Sequence, residues 1–198
     1  MRRGWIMASV VAATAAQADE GPSFDCARAE GEVETLICGE ADIAALDRRL
    51  AETWAEVIDV AEGLDERPDM DALRAEQRGW IKGRNDCWKA DDAAACVTDA
   101  YEVRISTLAA RWMLAPETGA ARYVCEGNPA NAFHASFRDT LRPSVRIEYG
   151  DGVKVGVQTR TASGARYEMP FGAFLWTKGD AATFAWEEGR ELTCEVAE

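Results

Sequence analysis

The sequence predicts an α+β protein, in which a small helical bundle is followed by a β-domain of eight short strands. Apolar residues recur at three- and four-residue steps up to about residue 112, as on one face of a helix. Beyond about residue 121 they alternate with a period of two, and closely spaced turn residues divide the chain. Such a series of short strands is typical of an antiparallel barrel or sandwich.

The first 18 residues have the three regions of a secretory signal peptide. Arg2 and Arg3 precede an apolar run from Gly4 to Ala16, and Ala16-Gln17-Ala18 fits a small-x-small cleavage site. The apolar run is too short to span a bilayer, so we expect a soluble periplasmic protein. No cysteine follows the predicted cleavage site, and a membrane lipid anchor is therefore not expected.

The helical bundle is predicted to occupy residues 19–112 after cleavage. A short first helix carries Val33, Leu36 and Ile37 on its apolar face. Three longer helices follow, with apolar faces over residues 43–61, 73–88 and 97–112. The faces include Trp54, Trp80 and Trp112, which we expect in the core.

An even number of cysteines in an exported chain predicts three disulfides. The six are Cys26, Cys38, Cys87, Cys96, Cys125 and Cys194. The first two flank the first helix and the next two flank a turn between helices. This favours the local pairs 26–38 and 87–96, although four cysteines allow three connectivities. The last two lie in the first and last strands, and a bond between them would join the ends of the β-domain.

A linker is predicted over Met113–Ala121, which contains Pro116 and Gly119. The β-domain then covers residues 122–198. Its strands are expected at 122–126, 132–138, 144–149, 153–161, 165–169, 174–177, 181–186 and 191–196. Val153, Val155 and Val157 share one face of the fourth strand.

The charge of the chain excludes several partners. With 22 basic and 35 acidic residues it has a net charge of −13, which disfavours nucleic acid and anionic membranes. Most of the acidic residues lie in the helical half. An acidic helix surface is usually only solvated, and the functional alternative is long-range attraction of a cationic partner.

The sequence offers little for catalysis. His134 is the single histidine, and its position between Phe133 and Ala135 places it on the solvent face. It does not form a convincing nucleophilic pair with Ser163, since no G-x-S-x-G elbow is present. Neither a phosphate-binding loop, a dinucleotide fingerprint nor a CxxC pair occurs. We therefore expect no enzyme activity, no metal and no cofactor.

The β-domain resembles the MliC and PliC inhibitors of c-type lysozyme. The resemblance rests on Tyr123-Val124-Cys125, Ser163-Gly164-Ala165-Arg166-Tyr167, Trp176-Thr177-Lys178-Gly179-Asp180-Ala181 and the closing Cys194. It implies an eight-stranded antiparallel β-barrel closed by a Cys125–Cys194 disulfide. It also implies c-type lysozyme as the partner.

In this family a serine and a lysine from two neighbouring turns enter the lysozyme cleft. Matched by motif, these residues are Ser163 and Lys178. The resemblance adds Gly164, Arg166, Tyr167 and Gly179 to the lysozyme-binding set, with Arg166 and Tyr167 supporting the loop. One departure is that Phe174-Leu175-Trp176 is one residue longer than the aromatic pair usual in the family.

The helical half resembles the LprI-type N-terminal domain of secreted bacterial proteins. The matching residues are Asp25-Cys26-Ala27, Glu34-Thr35-Leu36-Ile37-Cys38, Leu46-Asp47, Leu73-Arg74-Ala75-Glu76-Gln77-Arg78, Trp80, Cys87, Cys96 and Tyr101. This family is helical and disulfide-bonded, and one branch is linked to lysozyme inhibition. Its motifs imply structure, and no binding residue is taken from it.

Two functions follow as expectations. The first is an exported inhibitor that blocks the active-site cleft of c-type lysozyme with a Ser/Lys loop pair. The second is a non-inhibitory envelope module that binds another protein or peptidoglycan, and the longer spacing before Lys178 favours it.

Overall fold

The computed structural model describes residues 21–65, 68–187 and 189–197. It confirms the α+β class, with four α-helices followed by eight antiparallel strands in a closed barrel. The predicted signal peptide, residues 1–18, lies outside the described residues. Across the described ranges, every helix is too short or too polar to cross a membrane.

The elements follow the predicted order. The helices are α1 (Gly31–Gly39), α2 (Ala41–Gly63), α3 (Met70–Asn85) and α4 (Ala93–Arg111). The strands are β1 (Glu117–Cys125), β2 (Asn128–Arg138), β3 (Ser144–Tyr149), β4 (Gly152–Thr159), β5 (Ala165–Glu168), β6 (Phe174–Lys178), β7 (Ala181–Ala185) and β8 (Leu192–Val196). Each strand pairs with its neighbours in sequence, and β1 pairs with β8 to close the barrel.

The helical half has one core, built from the periodic positions. It includes Ile43, Leu50 and Val57 from α2 and Val97, Tyr101, Ile105 and Leu108 from α4. The three tryptophans expected in the core are partly buried against it. The third predicted helix ends early, at Asn85, and Trp88 lies in a short 3₁₀ turn with 55% of its surface exposed.

All three disulfides are present as the preferred pairing. Cys26 bonds to Cys38, and Cys87 bonds to Cys96. The third bond, between Cys125 and Cys194, joins two directly paired residues of β1 and β8. Both of its cysteines lie in the barrel core, so the bond crosses the closing seam of the barrel.

The first strand begins earlier than expected. Residues 117–121, predicted to belong to the linker, lie in β1 and pair with the end of β2. Arg138 and Glu117 form an ion pair across this extension at 3.2 Å. Residues 117–120 are exposed, so they carry no apolar alternation from which a strand could be predicted.

The valines of β4 do share a face, but it is the outer face of the barrel. Ile147 points into the core and is paired with Lys154, so the alternating residues Val153, Val155 and Val157 point outward. Val155 and Val157 are nevertheless buried. Helix α4 lies against β3 and β4 and covers this part of the outer face, whereas Val153 stays exposed.

Polar contacts also join the two domains. The backbone N–H of Arg142, in the loop between β2 and β3, donates to the hydroxyl of Ser106 on α4 at 2.9 Å. The guanidinium of Arg142 forms an ion pair with Asp99 on the same helix. Leu141 packs against the helical core. The helical domain therefore buries part of the outer barrel wall and holds the loop between β2 and β3.

Candidate functional site

Two turns meet at one end of the barrel, and they carry the predicted serine and lysine. Ser163 and Gly164 precede β5, while Lys178 ends β6. Because Ala165 pairs directly with Thr177, the start of β5 lies beside the end of β6. Ser163, Lys178 and Gly179 are all exposed. We refer to this pair of turns as the two-turn site.

Gly164 allows the two turns to approach each other. Its φ is +70°, a left-handed conformation that favours glycine. A Cβ at this position would lie 2.1 Å from the carbonyl oxygen of Thr177 and 2.8 Å from Cγ of Lys178. The loop thus packs directly on the β6 backbone, where no side chain fits.

Trp176 connects both halves of the site. Its indole Nε1–H donates to the carbonyl oxygen of Ser163 at 2.9 Å. The ammonium of Lys178 lies 3.8 Å from the centre of its ring, within cation–π distance. Sequence reasoning placed Trp176 in the motif but gave it no role. Its place in the motif beside Lys178 was the sequence feature that could have indicated this role.

Arg166 lies on the same outer face of the barrel, beside Trp176. It pairs directly with Trp176, and its guanidinium lies 3.8 Å from the centre of the Phe174 ring. Its Nε donates to Glu168 at 2.5 Å. The stacked guanidinium and its carboxylate partner fix this part of the β5–β6 surface.

The side chain of Tyr167 points into the barrel. Alternation along β5 turns its side chain inward, where it is 7% exposed and its ring centre lies 5.6 Å from that of Phe137. Burial raises the pKa of its phenol. The resemblance placed Tyr167 in the lysozyme-binding set as a support for the loop, and in the structure its side chain lies within the barrel core. Its contribution is packing beneath the loop.

The longer spacing before Lys178 does not interrupt the strand. β6 pairs continuously with β5 and β7 from Phe174 to Lys178. Leu175 points into the core and is fully buried, whereas Trp176 and Lys178 lie on the outer side. Strand alternation therefore accommodates Leu175 and leaves Lys178 next to the Ser163 loop.

The structure does not bring together a catalytic pair. His134 is exposed on the outer face of β2, directly opposite Arg122 on β1 and Glu148 on β3. Within the described ranges, no hydrogen bond joins it to Ser163. The same ranges contain no group of three or more His, Cys, Asp or Glu residues placed to hold a metal ion.

Two family models match the chain, one for each domain. Residues 123–192 match the family described as membrane-bound lysozyme-inhibitor of c-type lysozyme. Residues 26–115 match the family described as lysozyme inhibitor LprI. Both matches agree with the resemblances found in the sequence, and they support a lysozyme inhibitor role.

The chain is also similar to curated proteins named lipoprotein LprI. Those of Mycobacterium bovis and of two strains of Mycobacterium tuberculosis are each 29% identical over 149 residues, covering 74% of this chain and 71% of theirs. Neither domain contains that many residues, so the similarity extends over both. No solved structure shows a significant match.

Proposed function

We propose that this protein is an exported, non-catalytic inhibitor of c-type lysozyme and that the two-turn site blocks the active-site cleft. The observation that carries the proposal is the contact between the Ser163 and Lys178 turns, made by Gly164 and Trp176. This contact lies on the domain that matches the c-type lysozyme inhibitor family.

The chemistry of the cleft explains why a hydroxyl and an ammonium suit it. A retaining glycosidase such as c-type lysozyme holds two carboxyl groups about 5 Å apart. Ser163 can donate a hydrogen bond to one of them, and Lys178 can pair with the ionised one. Such charge-assisted contacts are stronger than neutral ones, and exclusion of water strengthens them further. Blocking the cleft requires no reaction by the inhibitor.

The free protein already holds these groups in place. Trp176 fixes the Ser163 loop by a hydrogen bond and carries the Lys178 ammonium over its ring. A pre-ordered lysine loses less side-chain entropy on binding than a freely rotating one. The acidic helical half adds long-range attraction for a cationic enzyme, which acts mainly on the association rate.

The proposal is tested by titrating the protein, with its disulfides intact, into c-type lysozyme while lysis of a bacterial cell-wall substrate is followed. Stoichiometric loss of lytic activity is the expected result. Full activity at a large molar excess of folded protein would reject inhibition and favour the envelope-module alternative. A pull-down from envelope extract would then identify the partner.

Replacing Gly164 by alanine tests whether the contact between the turns matters. The new Cβ would overlap the Thr177 carbonyl oxygen, so the Ser163 loop must move away from β6. We expect inhibition to weaken by at least about tenfold, which equals roughly 1.4 kcal/mol of binding free energy.

The matched control is Gly150→Ala. Gly150 also has a left-handed φ, of +57°, but nothing lies within 4 Å of a Cβ there. It lies in the turn between β3 and β4, at the other end of β4 from the Ser163 loop. Equal inhibition by the two variants would show that close packing at Gly164 is not required.

A further inference from the structure

A polar groove of about 360 Å³ lies beside the two-turn site. Gly164 and Thr161 line it on the side of the Ser163 loop, together with Arg160. Arg142, from the loop between β2 and β3, lines it as well. A group of the partner that lies next to the Ser163 loop can therefore reach this groove.

The two arginines of the groove differ in their partners. The guanidinium of Arg142 forms an ion pair with Asp99 of the helical domain. It also donates a hydrogen bond to the carbonyl oxygen of Gln158 at 3.5 Å. Arg160 is exposed and has no ion pair or hydrogen bond within the described ranges. Its guanidinium offers five N–H donors in a planar fork that fits a carboxylate.

Arg160 is one of three barrel arginines, with Arg122 and Arg190, that have no ion pair among the described residues, and of these three it is the one that lines the groove. Four other arginines of the barrel pair with carboxylates, namely Arg138, Arg142, Arg146 and Arg166. Lys178 also lacks a carboxylate partner among the described residues and lies over Trp176. The two-turn site and the groove thus form a positive patch on a chain with a net charge of −13.

We infer that this groove is a second subsite, in which Arg160 binds a carboxylate of the enzyme outside the pair engaged by Ser163 and Lys178. The inference rests on the proposed function. A protein partner supplies anionic groups as Asp and Glu side chains, and a guanidinium binds them through two parallel hydrogen bonds. The groove therefore extends the inhibitory surface beyond the two turns.

The helical domain has a defined part in this subsite. Ser106, which is fully buried on α4, accepts the backbone N–H of Arg142, and Asp99 binds its side chain. These two contacts fix the wall formed by Arg142. The helical domain thus shapes the subsite without touching the enzyme there, as a positioning element.

The experiment measures the dissociation constant of the full mature protein for c-type lysozyme. Arg160→Ala should raise it about tenfold, and Arg160→Glu should raise it further because the charge is reversed. Arg160→Lys should fall between wild type and Arg160→Ala, since it keeps the charge but loses the fork. Arg190→Ala, an exposed arginine between β7 and β8 at the opposite end of the barrel, is the control.

A separate experiment tests whether Ser106 of the helical domain positions the wall of the groove. Ser106→Ala should weaken binding several-fold in the wild-type background and not at all in the Arg160→Ala background, because both act on one subsite. Additive effects would contradict a role through the groove.

The outcomes separate this inference from the proposed function. If wild-type protein does not bind lysozyme, the proposed function fails. If it binds and the Ser163 and Lys178 variants weaken binding, while Arg160→Ala and Arg160→Glu stay within twofold of wild type, only the subsite is overturned.

Discussion

Replacing Ser163 and Lys178 together by alanine is expected to abolish inhibition while leaving the barrel folded. In the proposed complex each residue would supply one charge-assisted hydrogen bond to a carboxyl group of the cleft, and such bonds contribute roughly 1.5–3 kcal/mol each. Loss of both would therefore weaken binding by about 100- to 20,000-fold. Both side chains are exposed in the free protein, so neither substitution removes core packing.

The measurement is the inhibition constant of the double variant and of each single variant. Lys82→Ala is the matched control, because Lys82 is an exposed lysine on α3 outside the two-turn site. Circular dichroism should show an unchanged fold for all variants. Retained potency of the double variant would refute the assignment of these two residues.

The second large effect is on stability, and it concerns the disulfide across the barrel seam. Cys125 and Cys194 are 69 residues apart in sequence, so their bond closes a long loop in the unfolded chain. Loop-closure entropy for this length corresponds to about 4 kcal/mol. Among the described residues β1 and β8 pair at three positions, one of which is the cysteine pair itself, so the seam between these strands is short.

The variant Cys125→Ala with Cys194→Ala should therefore unfold at a much lower urea concentration than wild type. Alanine is chosen because both positions are in the core, where a serine hydroxyl would lack a partner. The comparison is Cys87→Ala with Cys96→Ala, whose bond spans 9 residues and whose loss costs roughly 2.5 kcal/mol on the same basis. A smaller loss for the barrel pair would contradict the closure argument.

Most of the fold was predictable because the apolar residues that form the core recur with a regular period along the sequence. The periodic faces of α2 and α4 correspond to core positions, and the preferred cysteine pairs formed because each pair flanks a single short element. The start of β1 was missed because Glu117–Ala120 is exposed on a strand that is held by pairing rather than by burial. Periodicity detects only burial.

The site was predictable in part for a similar reason. The motifs placed Ser163 and Lys178 on two turns, but they did not show that Gly164 packs on Thr177 or that Trp176 binds the Ser163 backbone. These contacts join residues from different strands. Alternation also could not distinguish the inner from the outer face for Val155, because α4 covers the outer face there.

The position of the helical domain is another feature that no local pattern contains. Two residues of α4, Ser106 and Asp99, reach the loop of Arg142 beside the two-turn site. Long-range contacts of this kind depend on how the two domains pack. They give the helical domain a structural link to the barrel end that carries the two-turn site.

A double-mutant cycle tests the central claim most directly. Binding of wild type and of Lys178→Ala would be measured calorimetrically against normal c-type lysozyme and against variants with one catalytic carboxyl group changed to its amide. We predict that Lys178 and the ionised carboxylate couple by at least about 1 kcal/mol, since each loses its partner in either single change. If the changes in binding free energy were strictly additive for Lys178→Ala with each of the two carboxyl variants, Lys178 would not enter the cleft.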